Sequence, residues 1–526
     1  CGSGNAPENT HQNARCAGSA SVDALQAEGL PTTAEMVRWI EELTAFGFRR
    51  TGTEPGRAAA AWVKCQFEAL GLQDVAYERS ISWDWHAESW SLQVAGDEFD
   101  AFPSAHSFVT AHQPSEFSTG PDGLSAEVVD VRRGGALNLA LNDVEGKIVI
   151  FDLRFLLPNA GLLAAAEFVW DPRLTIASPL DTLLAANPYI TNFTSVLEPL
   201  IEAGAVGFIG VLADYFDSNQ YYNEFYRSLE VTIPGMWVTE KEGARMRRAI
   251  AAADGTPTAT LHMEGYRREA EGLTVVGFLP GKSQETIVVQ SHHDSVWQGA
   301  VQDGSGVSAV LALARYFATQ PPESRERTLM FSTFDTHFSG YQAHQDFVRK
   351  YVTENETPYE LVAAVGLEHI ARQAVNRDGV LTLTGEVEPR GIMENLSLPL
   401  KGDIISAVIR NNLERTVVMS ASGTMTPPPC PTRSVSLAAK RRVVVWVGLH
   451  PWSRRVKAFR VRRSSVPRKS VWAVEPIRSS RSSVYSEAVK RKVRSPARGP
   501  PTPPPNWKRR KPSGSTPGGA NLGLAS

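Results

Sequence analysis

Ile287-Val-Val-Gln-Ser-His-His-Asp-Ser-Val296, followed closely by Gly299-Ala-Val-Gln-Asp-Gly-Ser-Gly-Val307, decides how the rest of this 526-residue chain is read. The run Thr286–Gln290 is β-branched and apolar, which predicts a buried strand. Its carboxyl end carries His292, His293 and Asp294. A glycine-bounded turn then leads into Gly306–Thr319, where Val307, Val310, Leu311, Leu313 and Tyr316 recur at helical spacing. One strand, a polar tip and one helix make the first β/α unit.

The same alternation continues downstream. Arg327–Phe334 reads as a strand, Gly340–Val352 as a helix and Leu361–Leu367 as a third strand. Such a series implies an α/β sheet covered by helices on both faces. Upstream, Thr32–Leu70 reads as two helices broken at Arg50-Thr-Gly-Thr-Glu-Pro-Gly56, and a strand-like stretch covers Val75–Trp85. Between residues 88 and 265 short apolar runs at Ala126–Val131, Lys147–Phe151, Val206–Val211 and Ile233–Val238 alternate with turn residues, as in a small β-rich insert.

The two ends differ from this body. From residue 426 onward 23 Lys and Arg stand against two acids, Glu475 and Glu487, although the whole chain has a net charge of −2. The tail is Pro-, Arg- and Ser-rich and cannot bury enough apolar surface to offset its ordering entropy. It reads either as a disordered basic arm or as a stretch translated from a shifted frame. At the other end, Cys1-Gly-Ser-Gly opens a Gly/Ser/Asn/Ala-rich tether to about residue 30. This is expected of a bacterial lipoprotein lipidated at Cys1; the alternative is a fragment that begins at Cys. Four cysteines are too few and too scattered for a disulfide framework or a Cys-based zinc site. No run of 18 apolar residues predicts a transmembrane helix.

Three strand ends carry the chemistry: Ser291-His-His-Asp-Ser295, Thr333-Phe-Asp-Thr-His337 and Gly366-Leu-Glu-His369. In open α/β sheets ligands bind beyond the carboxyl ends of the strands. His, Asp and Glu gathered there are ligand types that zinc prefers. His293 should point to the opposite face from His292. His344, seven residues after His337 on a helix, is too far to share its metal. His369 faces away from Glu368 if the strand continues, although a strand end can curl.

These segments resemble peptidase family M28, in which a His-x-Asp is followed by a Gly-Ala-x-Asp-Asp-Gly-Ser-Gly segment. Gly277-Phe-Leu-Pro-Gly281, the Arg-x-Thr-Gly between the first two helices, and Gly146-Lys-Ile-Val and Glu202-Ala-Gly-Ala-Val-Gly in the insert are similar to pieces of the same family. The resemblance covers about residues 32–420. It implies an α/β fold with a mixed-sheet zinc-exopeptidase domain (31–87 and 266–425) and a protease-associated insert (88–265), between the flexible tether (1–30) and the low-complexity basic tail (426–526) that composition marks. It implies hydrolysis of a peptide substrate with zinc; the lipoprotein-like start places the chain at the bacterial cell envelope or outside the cell. No specific nucleic acid is implied, and membrane contact runs only through a lipid on Cys1.

Carried over by position, His292 corresponds to a zinc ligand, Asp294 to the carboxylate supporting it, and Glu368 to a further ligand of the same ion. Gln302 falls where the bridging Asp belongs, one residue before Asp303. The general base and a ligand of the second ion fall at His337 and Phe338. A neutral Gln is a poor bridge between two dications, and Phe338 cannot ligate. At most one zinc is therefore expected, held by His292, Glu368 and Asp303 or Gln302, with His337 as base or added ligand; the other reading of the site is that it has decayed and binds no metal. The alternative is a non-catalytic pseudo-peptidase that serves as a binding or scaffold protein.

Overall fold

The computed structural model describes residues 29–109, 115–155, 159–176, 191–222, 231–394, 398–420 and 443–447. Helix α1 (Thr33–Thr44) starts at a capping box in which the Thr32 hydroxyl accepts the Glu35 amide and the Glu35 carboxylate accepts the Thr32 amide. Helix α2 (Glu54–Ala69) is capped by Thr53, with proline in its first turn. Cys65 on α2 is disulfide-bonded. Strand β1 (Gln73–Val94) then runs for 22 residues.

The insert carries β2 (Leu124–Asp130), β3 (Ile148–Leu153), a short β4 (Phe168–Trp170), α3 (Phe193–Glu202), β5 (Gly207–Leu212), β6 (Gly235–Thr239) and α4 (Glu240–Ala252). Strands β2, β3, β5 and β6 lie parallel, in that order. Each matches one of the four expected apolar runs to within a few residues. The chain returns through β7 (Thr258–Leu279), antiparallel to β1 from Gln73↔Phe278 to Val94↔Ala259. Residues 88 and 265 therefore fall inside one continuous two-stranded ribbon. The ribbon's irregularity there is a bulge between Ala87 and Ser89.

The second sheet region is built from β8 (Glu285–His292), α5 (Gly306–Thr319), β9 (Thr328–Phe334), α6 (Gln342–Val348), β10 (Glu360–Leu367), β11 (Arg390–Glu394), α7 (Leu398–Arg410), β12 (Thr416–Ser420) and β13 (Val443–Val447). The spatial order is β7-β9-β8-β10-β13-β11-β12-β4. The α/β class with a mixed sheet thus holds. Helix α5 covers Gly306–Thr319 as its spacing predicts. The helix expected over 340–352 instead starts at Gln342 and passes into a wider π-type turn at Arg349–Thr353. Tyr341, with φ +59°, delays the start.

One face of the sheet packs Val275, Val289 and Phe331 against Trp39, Leu43, Val63 and Phe67 of α1 and α2 and Val307 and Val310 of α5. The other face packs Phe278, Val288, Met330 and Phe334 against Phe347 and Tyr351. Each such buried side chain contributes about 1.5–3 kcal/mol, so helices on both faces fix where the strand tips end. The buried Arg315–Glu35 pair (2.9 Å) ties α5 to α1.

Two contacts were not legible in the sequence. The short β4 of the insert pairs with β12, and Arg173 near it pairs with Glu386 and Glu414. The apolar run Val443-Val-Val-Trp-Val447, within the basic tail, adds β13 beside β10. The rest of that tail, and the tether with Cys1, lie outside the described residues. No helix among the described residues is long and apolar enough to cross a membrane.

Candidate metal centre

Strand β8 lies between β9 and β10 and is parallel to both. His292 at its tip is therefore flanked by the continuations of two strands, one leading to His337 and the other to Glu368. This topology brings together residues far apart in sequence. One nitrogen or carboxylate oxygen from each of His292, Glu368 and His369 lies within 4.8 Å of the others, and all three residues are buried.

His292 is oriented from behind. Its Nδ1 lies 3.1 Å from Asp294 Oδ1, while Asp294 Oδ2 accepts the Phe338 amide at 3.2 Å. With the proton on Nδ1, Nε2 keeps a lone pair that can bind a cation. That Nε2 is buried without a hydrogen-bond partner, and Asp303 Oδ2 is 4.0 Å away. Burial opposes charge on His292. The Asp294 hydrogen bond and the charges of Asp303, Asp294 and Glu368 outweigh it and raise its pKa to about 9. A surplus of buried carboxylate around an orphaned imidazole nitrogen fits a cation.

Asp303, fully buried, sits on a turn whose preceding peptide, Gln302–Asp303, is cis. It accepts the Ser291 hydroxyl, the Gly306 amide (3.2 Å) and the His369 amide (3.1 Å). Its neighbour Gln302 is only partly buried. Of the two residues expected as third ligand, Asp303 is not part of the group of close His and carboxylate donors among the described residues. His369 is. Strand β10 ends at Leu367, and His369 has φ +57°. This left-handed turn curls the chain away from strand geometry, so the expectation that His369 faces away fails for the reason the sequence reading left open.

The ring of His337 stacks on that of His292 with centroids 3.8 Å apart and planes 9° from parallel. Its Nε2 lies 3.4 Å from the Tyr341 hydroxyl. His337 is not on a helix with His344: residues 336–341 fold into a turn, with Thr336 at φ +65° and its carbonyl accepting the Tyr341 amide. The two rings come to 6.2 Å, and His344 stacks on Phe334 at 4.1 Å. His293 points elsewhere, with Nδ1 3.0 Å from the Thr333 hydroxyl, and burial lowers its pKa to about 4. Asp335 is held by the Thr51 hydroxyl and by the amides of Leu273 and Thr336. Burial first, then the charge of Asp294, still push it up to about 6.

Sequence reasoning noted the Arg-x-Thr-Gly motif without giving its arginine a task. Arg49 is fully buried and donates to the carbonyls of His293 (2.8 Å), Gln298 (2.5 Å), Gly299 (3.1 Å) and Leu43 (3.3 Å). It fastens the loop after β8 to the end of α1. Beside Asp294 a narrow cleft of about 20 Å³ is walled by Trp83 and Trp85 of the ribbon, His106 and Tyr222 of the insert, and Phe338. His106 joins these walls through the Tyr222 hydroxyl (2.7 Å) and the Phe338 carbonyl (3.0 Å).

Residues 274–410 match Peptidase family M28. A leucine aminopeptidase 1 of Paracoccidioides brasiliensis (strain Pb03) is 21% identical over 183 residues, which cover 32% of this chain and 46% of that protein. The chain thus spans about half the length of the curated relatives it matches. Among solved structures, a zinc aminopeptidase from Bacillus subtilis has a TM-score of 0.54 at 17% identity, covering 80% of this chain and 85% of that one. A peptidase M28 precursor from Shewanella amazonensis SB2B has a TM-score of 0.54 at 16% identity, with 83% and 86% covered. These likenesses show the fold. The strand tips that bring His292, Glu368 and His369 together lie inside residues 274–410, the segment of this chain that matches peptidase family M28.

Proposed function

We propose that this protein is a metal-dependent exopeptidase that binds one divalent ion, zinc in the first instance, through His292 and Glu368. The observation that carries the reading is the convergence of His292, Glu368 and His369 donor atoms within 4.8 Å at the mouth of the sheet. A divalent ion there polarises a scissile carbonyl and lowers the pKa of water. Asp294 holds the His292 ring in the tautomer that leaves Nε2 available. His337, stacked against His292, is the group we assign as general base.

The relatives' printed names make aminopeptidase activity the first to assay, and the fold likeness to a zinc aminopeptidase makes zinc the first metal to test. We read the insert as a protease-associated domain because it supplies Tyr222 and His106 to the cleft. The test is a panel of fluorogenic aminoacyl and dipeptidyl substrates, run on untagged protein after chelation and again after zinc is restored. Hydrolysis that disappears with chelator and returns with zinc is expected. Hydrolysis indifferent to chelator, or none with any substrate at full zinc loading, removes the proposal.

A further inference from the structure

We propose that His369 is the third protein ligand, so that the chain holds a single ion between His292, Glu368 and His369. This rests on the metal-dependent reading above and adds to it a ligand set and a stoichiometry. Two imidazoles and one carboxylate are a known donor set for catalytic zinc, in which three protein groups leave a fourth position open. Donor atoms around a tetrahedral ion with bonds of about 2.1 Å lie roughly 3.4 Å apart. His369 Nε2 and Glu368 Oε2 are 3.9 Å apart, a separation that small side-chain movements close.

The architecture around His369 is specific. Its amide is held by Asp303 Oδ1 at 3.1 Å, and the next amide, of Ile370, by the Ser305 hydroxyl at 2.9 Å. The turn Asp303–Ser305 therefore grips the backbone on both sides of the His369 side chain and fixes the left-handed turn that aims it. Asp303 acts here as a positioning residue rather than as a ligand. The same arrangement disfavours a second ion. Gln302 carries no charge to screen two dications from one another, and Phe338 is buried with its ring 5.6 Å from that of His292.

The experiment strips the full chain of metal and titrates it with zinc against a chromogenic chelator. Cobalt(II) absorption is recorded in parallel, and the Tm of each apo variant is compared with that of the wild-type apoprotein. We expect one zinc per chain. His369→Ala should weaken binding about 100-fold or more, since loss of even an outer partner of a ligand costs roughly 10–100-fold. His369→Cys, which restores a ligand, should recover most of the affinity and shift the cobalt spectrum towards thiolate coordination. Gln302→Ala should bind as the wild type does. His369→Gln, closer in size, replaces the alanine variant if that one fails to fold. Wild-type affinity in His369→Ala, or two zinc ions per chain, overturns the ligand set while leaving metal-dependent hydrolysis standing. Absence of zinc binding in the wild type overturns both.

Discussion

Arg49 shows how much of the site depends on a residue that touches no candidate ligand side chain. Its guanidinium serves four carbonyls, three of them on the loop that follows His292. Burial lowers its pKa to about 10, against support from Asp294 and Asp303, so it remains charged at neutral pH. Lysine offers three donors on one nitrogen and cannot span four separated acceptors. Arg49→Lys should therefore lose about 2–4 kcal/mol of unfolding free energy, because buried carbonyls are left unsatisfied. Urea titration measures this, and a loss below about 0.5 kcal/mol would show that the loop does not depend on the fork. The motif holding Arg49 was visible in the sequence, but its task was not, since its four acceptors are backbone atoms that leave no side-chain signature. His292, Asp294 and Glu368 were legible because each ends a run of strand periodicity. His369 was not, because a positive φ at a non-glycine residue is set by the Asp303 and Ser305 contacts and not by the local pattern.

At the scale of elements, α5 meets the site at its first residue. A Cβ on Gly306 would stand 2.3 Å from Asp303 Oδ2, 2.3 Å from the Leu367 carbonyl oxygen and 2.6 Å from the Ser291 hydroxyl. Helix propensity alone predicts that alanine here stabilises by about 1 kcal/mol. The contacts predict the reverse, since overpacking costs about 1–3 kcal/mol and here presses on a carboxylate already fixed by three donors. Gly306→Ala should lower Tm by several degrees and weaken zinc binding together. A variant at least as stable as the wild type would mean that β10 can retreat from α5 at little cost. The strands and helices of the β/α series were legible because their periodicities are long and regular. The ribbon β1–β7 was not: its burial pattern changes along its length and it crosses from one core to another without a turn signal, so residues 88 and 265 read as borders. The three-residue β4 is too short to carry a pattern at all.

For the whole molecule, burial of ionisable groups sets opposing slopes in stability against pH. His106 and His293 are pulled down to about 3 and about 4 by burial, so the stability that their neutral forms contribute is lost as pH falls below about 6.5. Glu388, just after the hairpin at 372–387 and bonded through its amide to the Ala371 carbonyl, works the other way. Burial pushes its carboxyl from 4.5 to about 7. The folded state then binds its proton more tightly than the unfolded chain does. Its contribution is complete below pH 4.5 and disappears as pH rises through 7. Because Glu388 is only partly buried by surface area, the effect is on the order of 1 kcal/mol, less than the full shift would give. Glu388→Gln removes this titration and leaves the histidine slope untouched. Its stability relative to the wild type should therefore rise between pH 5 and pH 8, by roughly 1 kcal/mol in chemical denaturation at the two pH values. A difference that stays constant across this range would place the Glu388 carboxylate in water and remove it from the pH balance of the fold.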